Sequence, residues 1–419
     1  MAPTVRDRVD ACPGALTTHQ AADGPLARIR TPGGRLDASQ LVTLADCAEH
    51  LGDGEVHLTS RANVQLRAVA DVSALAERLT RAGLLPSASH ERVRNIVASP
   101  LSGITGGLVD VRTLVIELDH ALRAEPALAR LPGRFQFGLD DGRGDLPPAM
   151  LDAGWRATDS QQGALLLGGA DTGLRIPARR ASAALVAAAH AFLDVRARTS
   201  GTAWHIRELN SQEQLTAVVA DTLGPDVRTA PTAALTTSPP PAVGPHQHRS
   251  GPDYAVVAAI PLGTFTAAQL RTLAGLSPRG AVLTPWRSVV LPGLPPGAAG
   301  RAVDTLVAAG YVLDPESPSA GVTACIGHPG CASSRADVRA DTLPLLTTLP
   351  PGITLHVSGC ERRCGRPRGP HVDAVAAMDG YVVDGIRVAR DELAIAVPKA
   401  ASQVTSEAVG TATTLAGKD

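Results

Sequence analysis

Four of the six cysteines lie in the second half of this 419-residue chain, Cys325 and Cys331 in TACIGHPGCASSRADV and Cys360 and Cys364 in HVSGCERRCGRP. Five residues separate the first pair, three the second, and 28 stand between the pairs. Zinc sites favour tight pairs with two to four residues between ligands, so the five-residue loop fits zinc poorly. A 4Fe-4S cluster is wider than one ion and takes its four thiolates from looser loops. Gly327, Pro329, Gly330 and Gly359 are compact, which lets backbone amides approach the sulfurs and stabilise their negative charge. Four unconnected buried cysteines are the alternative; the glycines flanking both pairs weigh against it. Cys12 and Cys47 fall outside the pattern.

The elements that must position these thiols repeat. PGGRLDASQLVTLAD (Pro32 to Asp46) aligns with PLGTFTAAQLRTLAG (Pro261 to Gly275), with eight identities in fifteen positions. GEVHLTSR (Gly54 to Arg61) matches GAVLTPWR (Gly280 to Arg287), DVR recurs at Asp110–Arg112 and Asp337–Arg339, and TGLRI (Thr172 to Ile176) is similar to DGIRV (Asp384 to Val388). The offset stays between 212 and 229 residues, as a duplicated unit requires. Each unit reads as strand, glycine turn, helix and second strand, then a longer mixed segment, giving α+β halves about a pseudo-twofold axis. The proline-rich stretch from Leu235 to Pro252 reads as a linker, and the small polar residues from Ala400 onward as a disordered tail.

Composition narrows the partners. A net charge of −1 and 2% aromatic residues argue against nucleic acid. No run of eighteen apolar residues predicts a membrane span, and the charged N-terminus is unlike a secretory signal. A cytoplasmic, reducing compartment is expected, where thiols stay free for metals. Neither GLSPRG nor GLPPGAAG has the spacing of a dinucleotide fingerprint.

The Cys-x5-Cys and Cys-x3-Cys pattern resembles the cluster motif of the sirohaem-dependent sulfite and nitrite reductase superfamily, which is also built from duplicated halves. LTSRANVQLR (Leu58 to Arg67) resembles its strand whose arginine faces the tetrapyrrole, and VRNIVASPLSG (Val93 to Gly103) its second arginine segment. LPGRFQFGLDDG (Leu131 to Gly142) is similar to the segment that carries two active-site lysines in the reductases. The likeness covers roughly residues 10 to 395. It implies an N-terminal segment (1–17), a ferredoxin-like half domain (18–75), a nitrite/sulfite reductase-like domain (76–230) and a proline-rich linker (231–253). A second half domain (254–300), a 4Fe-4S-binding domain (301–399) and the tail (400–419) complete it. It further implies that Cys325, Cys331, Cys360 and Cys364 ligate the cluster, with Cys364 bridging to sirohaem iron, and that Arg61, Arg94 and Asn95 contact the cofactor.

Arg134 and Gln136 stand where the reductases have lysines, and the only lysines in the chain are Lys399 and Lys418. A guanidinium binds anions but is a poor proton donor. This departure, the opening ACPGAL (Ala11 to Leu16) and the phrase ASPLSG look most like the precorrin-3B synthase branch of the superfamily. That resemblance implies an O2-dependent monooxygenase that hydroxylates precorrin-3A and closes a lactone in aerobic cobalamin synthesis; the alternatives are a sirohaem-dependent assimilatory sulfite or nitrite reductase and a non-catalytic iron–sulfur electron carrier. Arg67, Arg92 and Arg134 would bind the substrate's carboxylates. A second iron, sirohaem or non-haem, would activate dioxygen, with electrons from NADH through a separate reductase or ferredoxin. Asn95 is expected to orient Arg94. His328 is expected to be exposed or behind the ligands; His205 and Glu208 are iron ligands by type or part of an exposed helix face.

Overall fold

A computed structural model describes residues 10–199, 201–209, 211–367 and 369–402. In the first half, β1 (His19–Ala21), β2 (Gly24–Ile29), β3 (Arg35–Leu36), α1 (Ala38–Leu51), β4 (Glu55–Leu58), β5 (Val64–Leu66) and α2 (Val72–Arg81) come first. There follow β6 (Ile96–Ala98), α3 (Arg112–Ala124), β7 (Phe137–Asp140), β8 (Ala153–Ala157), β9 (Gln162–Leu167), β10 (Ala170–Pro177), α4 (Ala181–Arg198), α5 (Gln212–Leu223) and β11 (Arg228–Thr229).

The second half begins with β12 (Gly244–Gln247), β13 (Tyr254–Ala259), β14 (Thr264–Thr266), α6 (Ala267–Leu276), β15 (Ala281–Leu283), β16 (Ser288–Leu294) and α7 (Pro296–Ala308). Then come β17 (Val322–Ala324), α8 (Val338–Thr342), α9 (Leu345–Thr348), β18 (Leu355–Ser358), β19 (Val372–Ala377), β20 (Gly380–Val383) and β21 (Ile386–Val388).

The two halves complete each other's sheets. The first is ordered β1-β2-β5-β4-β14 and the second β12-β13-β16-β15-β3, so each takes its last strand from the other repeat. Thr264, Phe265 and Thr266 lie opposite His57, Val56 and Glu55, while Arg35 and Leu36 lie opposite Val282 and Ala281. Both exchanged strands lead into helices closed by capping boxes, Asp37 with Gln40 in α1 and Thr266 with Gln269 in α6. These helices pack on one another. Leu41 and Leu44 of α1 share one core with Leu270 and Leu273 of α6 and with Ile29, Val56, Phe265 and Leu291 of the sheets. Each such fully buried side chain contributes about 2 kcal/mol.

The remaining sheets repeat one topology. β6, β7 and β8 are parallel and β9 and β10 continue antiparallel; β17, β18 and β19 are parallel and β20 and β21 antiparallel. This is an α+β fold duplicated about a pseudo-twofold relation. Among the described residues no helix is long and apolar enough to cross a membrane.

Three expectations shift. The expected linker ends at β12, where Gly244–Gln247 pair with Val257–Tyr254; Pro245 is tolerated because β12 is an edge strand. Ala400 is buried and helical with Ala401 and Ser402, so these three residues belong to the packed body; the rest of the expected tail lies outside the described residues, as do the first nine positions. The repeat alignment also moves by one residue. Thr59 and Thr284 donate to Asn63 and Ser288, and Ala62 and Arg287 share a left-handed backbone (φ 55° and 59°). Arg287 is therefore the counterpart of Ala62, and Trp286 that of Arg61.

Glycine permits the strand exchange. Gly34 (φ 72°) and Gly280 (φ 77°) precede the exchanged pairing, and a Cβ on either would overlap a carbonyl of the other half, Leu283 or Leu36. Gly34→Ala is expected to destabilise both halves together by about 2–3 kcal/mol, from left-handed strain plus the clash. Chemical denaturation checks this: one shifted cooperative transition is the expected outcome.

Candidate functional site

Side chains on a strand alternate between faces. In the first sheet Ala27 and Ile29, Val56 and Leu58, Val64 and Leu66, and Phe265 enter the core. The opposite face is polar. Arg28 lies opposite Gln65, Gln65 opposite His57 and His57 opposite Thr264, with Arg30, Asn63, Arg67 and Glu55 at alternate positions of the same strands. The equivalent face of the second sheet is apolar: Ala255, Val257, Val282 and Val290 pack on Leu101 and Ile104 from the loop after β6. One repeat thus carries a polar surface where the other is sealed.

At one end of the polar face guanidinium groups gather. Arg28 Nη1 and Arg30 Nη2 donate to Cys12 Sγ at 3.2 and 3.5 Å. Cys12 is brought there by the ACPGAL loop, held where the backbone N–H groups of Ala15, Leu16 and the following Thr17 donate to Glu91. Burial, then the charge of Arg28, lowers the Arg61 pKa, and Arg134 adds to this. Burial, with Arg28 and Arg61, acts on Arg30 in the same direction. The buried Nη1 of Arg30 has no hydrogen-bond partner among the described residues. Guanidiniums crowded in this way form a site for an anion, carboxylates above all. Arg28 and Arg30 were not among the expected site residues; the alternation in ARIR, arginines two apart between core positions, is the signal that marks them.

The expected arginines divide. Arg61 and Arg134 belong to this group; Arg134 is 46% exposed at its side chain, pairs with Asp10 at 3.4 Å and lies over the Trp204 ring at 5.0 Å. Arg92 is half-buried nearby, donating to the Asp10 carbonyl at 3.4 Å. Arg94 is instead committed to a buried bidentate pair with Asp119 of α3, at 2.6 and 3.0 Å. Asn95 does not orient it: Asn95 accepts from Asn63 and donates to the carbonyls of Arg92 and Gly133. Arg67 is held by Asp23 at 2.7 and 2.8 Å and donates to the Gly330 carbonyl at 2.5 Å. It fastens the cysteine loop to the polar face and is not free for a substrate carboxylate. Gln136 is buried and donates to the Asn95 and Phe137 carbonyls. His205 is buried on Asp152 at 3.1 Å, not on an exposed helix face, and Glu208 accepts from the Trp204 N–H. His328 is exposed, as expected.

The four thiols converge. The charges of Cys325, Cys360 and Cys331 all bear on Cys364, raising its pKa after burial, and those of Cys331 and Cys360 bear on Cys325. The loops after β17 and β18 bring them together, since parallel neighbours end at the same edge. Burial raises the Cys325 pKa, and the amides of Gly359, at 3.2 Å, and Gly327 oppose that rise by donating to its sulfur. Four thiols that oppose one another's ionisation, with amides and the Arg287 and Arg339 charges around Cys325, suit a multiply charged group such as an iron–sulfur cluster. From the left-handed turn that it shares with Ala62, the Arg287 side chain reaches the Gly365 carbonyl with its Nη2 at 2.9 Å, beside Cys364. His356 is buried between the loops, its Nε2 3.2 Å from the Cys364 carbonyl and its Nδ1 2.9 Å from Thr323 Oγ1. Burial and then Arg287 lower its pKa to about 4, so it stays neutral and braces the loop.

The first repeat keeps the frame of this site without thiols. Ser99 occupies the place of Cys325, accepting from the Asp141 N–H at 3.2 Å as Cys325 accepts from Gly359. Asp140, Asp141 and Asp145 stand beyond it, paired with Arg156 and Arg143. Burial raises Asp145 to about 7 although Ser99 Oγ donates to it at 2.7 Å.

Two outcomes test these assignments. Cys360→Ser is expected to abolish the brown colour and bound iron and destabilise the second half, whereas Cys47→Ser leaves both intact; iron analysis and visible absorbance check this. Asp145 binds its proton more tightly folded (about 7) than unfolded (3.8), so its stabilising contribution is present below pH 4 and lost as pH rises through 7. Asp145→Asn is expected to gain on the order of 2 kcal/mol above pH 7 and to flatten the pH dependence between, read by denaturation at several pH values.

The nitrite/sulfite reductase ferredoxin-like half domain family matches residues 19–82 and again 246–309. A precorrin-3B synthase of Sinorhizobium sp is 28% identical over 400 residues, covering 90% of this chain and 83% of that protein. The ferredoxin–nitrite reductase of Synechococcus elongatus is 27% identical, covering 87% and 79%, and the assimilatory ferredoxin-dependent nitrite reductase of Haloferax mediterranei 24%, covering 87% and 73%. The solved structure of the Mycobacterium tuberculosis NirA protein superposes with a TM-score of 0.71 at 20% identity, covering 88% of this chain and 79% of that one. The chain thus carries the nitrite/sulfite reductase ferredoxin-like half domain twice, within a duplicated fold that it shares with the solved NirA structure.

Proposed function

We propose that this chain is an O2-dependent monooxygenase of the precorrin-3B synthase type, hydroxylating precorrin-3A and forming its lactone. The observation that carries the reading is the guanidinium group of Arg28, Arg30, Arg61 and Arg134 in a chain whose only lysines are Lys399 and Lys418. Reduction of sulfite or nitrite consumes several protons, and a buried lysine can deliver them where a guanidinium cannot. Guanidiniums instead grip carboxylates in forked pairs, and a tetrapyrrole with acetate and propionate chains offers many. The extended similarity to the Sinorhizobium enzyme supports the same reading.

Cys325, Cys331, Cys360 and Cys364 would hold a 4Fe-4S cluster, which supplies single electrons. The amides of Gly327 and Gly359 favour the charged form of Cys325, and neutral His356 holds the Cys364 loop in place. Arg28, Arg61 and Arg134 orient substrate carboxylates, with Trp204 beneath Arg134 as an apolar support. A second iron, sirohaem or non-haem, is required for hydroxylation, and a separate reductase or ferredoxin would pass electrons from NADH.

Similar identity to the nitrite reductases makes sirohaem-dependent nitrite or sulfite reduction the second reading. Anaerobically purified protein is expected to bind precorrin-3A, with Arg61→Ala and Arg134→Ala each weakening binding about tenfold or more, as loss of a charge-assisted hydrogen bond predicts. Turnover of nitrite or sulfite with reduced methyl viologen, without precorrin-3A binding, overturns the proposal.

A further inference from the structure

The polar face has a second end, which neither the thiols nor the guanidinium group uses. Glu55 and His57 occupy alternate positions of β4 and so share one side, and Asp53, joined through the left-handed Gly54 (φ 89°), turns its carboxylate toward them. One ligand atom from each lies within 4.8 Å of the others. His57 Nε2 is 3.4 Å from Asp53 Oδ2 and 3.9 Å from Glu55 Oε2. Ligand atoms around one ion with bonds of about 2.1 Å are spaced about 3–4 Å apart, so these groups need little movement to share one.

The surrounding residues orient the three. The Glu55 N–H donates to Asp53 Oδ1 at 3.0 Å, which leaves Oδ2 turned toward His57. On the buried imidazole's other side, Nδ1 is 3.2 Å from Thr264 Oγ1, a residue of the exchanged strand β14. An Nδ1–H donated to that hydroxyl leaves the Nε2 lone pair facing the carboxylates, the usual support for a metal-bound histidine. Asp53 is exposed and Glu55 half-exposed, so solvent or a small ligand can fill the remaining positions. Arg339 links this corner to the thiols: its Nη1 is 3.6 Å from Glu55 Oε2, and its charge also bears on Cys325.

We propose that Asp53, Glu55 and His57 form a binding site for a first-row divalent cation of the Fe2+ or Mn2+ class, with coordination positions left open. One imidazole and two carboxylates select such ions over Cu(I), which prefers sulfur, and over Ca2+, which takes oxygen alone. The site stands independently of the monooxygenase reading; ferrous iron held there would give that reading the second iron it needs.

The test is a Mn2+ titration of the purified full-length protein followed by electron paramagnetic resonance, since Mn2+ favours oxygen and nitrogen donors over the thiols. The expected result is one tightly held Mn2+ per chain. Glu55→Gln and Asp53→Asn, both at accessible positions, are expected to weaken it at least tenfold, and His57→Gln to abolish it, with circular dichroism and thermal midpoint unchanged in the two carboxylate variants. No site tighter than millimolar for Mn2+, Fe2+ or Zn2+, or affinity unchanged in Glu55→Gln and Asp53→Asn, overturns the proposal. Failure of precorrin-3A binding beside an intact Mn2+ site counts against the monooxygenase alone.

Discussion

The reciprocal exchange of two short strands is the constraint on which the rest of the molecule depends. β14 closes the first sheet and β3 the second, so neither repeat completes its own ferredoxin-like sheet. The pairing sets which residues face which. Thr264 meets His57 because β14 registers on β4, and α1 lies on α6 because their capping boxes begin where the exchanged strands end. A fixed relation between the halves follows, and with it a fixed position for each loop against the opposite sheet.

Asymmetry then makes one site from two frames. The loop after β6 seals the second sheet with Leu101 and Ile104, whereas the corresponding loop after β17 meets the first sheet through Gly330 and Arg67 and carries thiols. Ser99 with its aspartates stands where Cys325 and its partners stand in the other repeat. Apolar contact on one side stabilises; on the other, polar and sulfur groups give up that stabilisation for chemistry, as functional sites do.

Much of this was legible in the residues. The duplication was written in PGGRLDASQLVTLAD and its partner, and the thiol set in its spacing and glycines. The amides of Gly327 and Gly359 approach Cys325 as their small size suggested. What could not be read was pairing across distance. Arg94 matches a motif, yet its partner Asp119 comes from another element and neutralises it. Arg67 is likewise taken by Asp23. Strand exchange is invisible to periodicity, since β3 has only two residues and β14 three. The one-residue shift between Arg61 and Arg287 is a matter of turn geometry, which an ungapped alignment ignores. Arg28 and Arg30 were within reach, because alternation marks their face, but nothing local said that Arg61 and Arg134 would gather beside them.

The Arg67–Gly330 hydrogen bond joins residues 263 positions apart in the chain. During synthesis the N-terminal repeat therefore emerges with an unfinished sheet edge and an uncovered charged surface, and both wait for segments made much later. Maturation of such a polypeptide is a late, global event: the nascent first repeat needs shielding until its twin arrives, and the thiol loop reaches its place against the first sheet only with that closure.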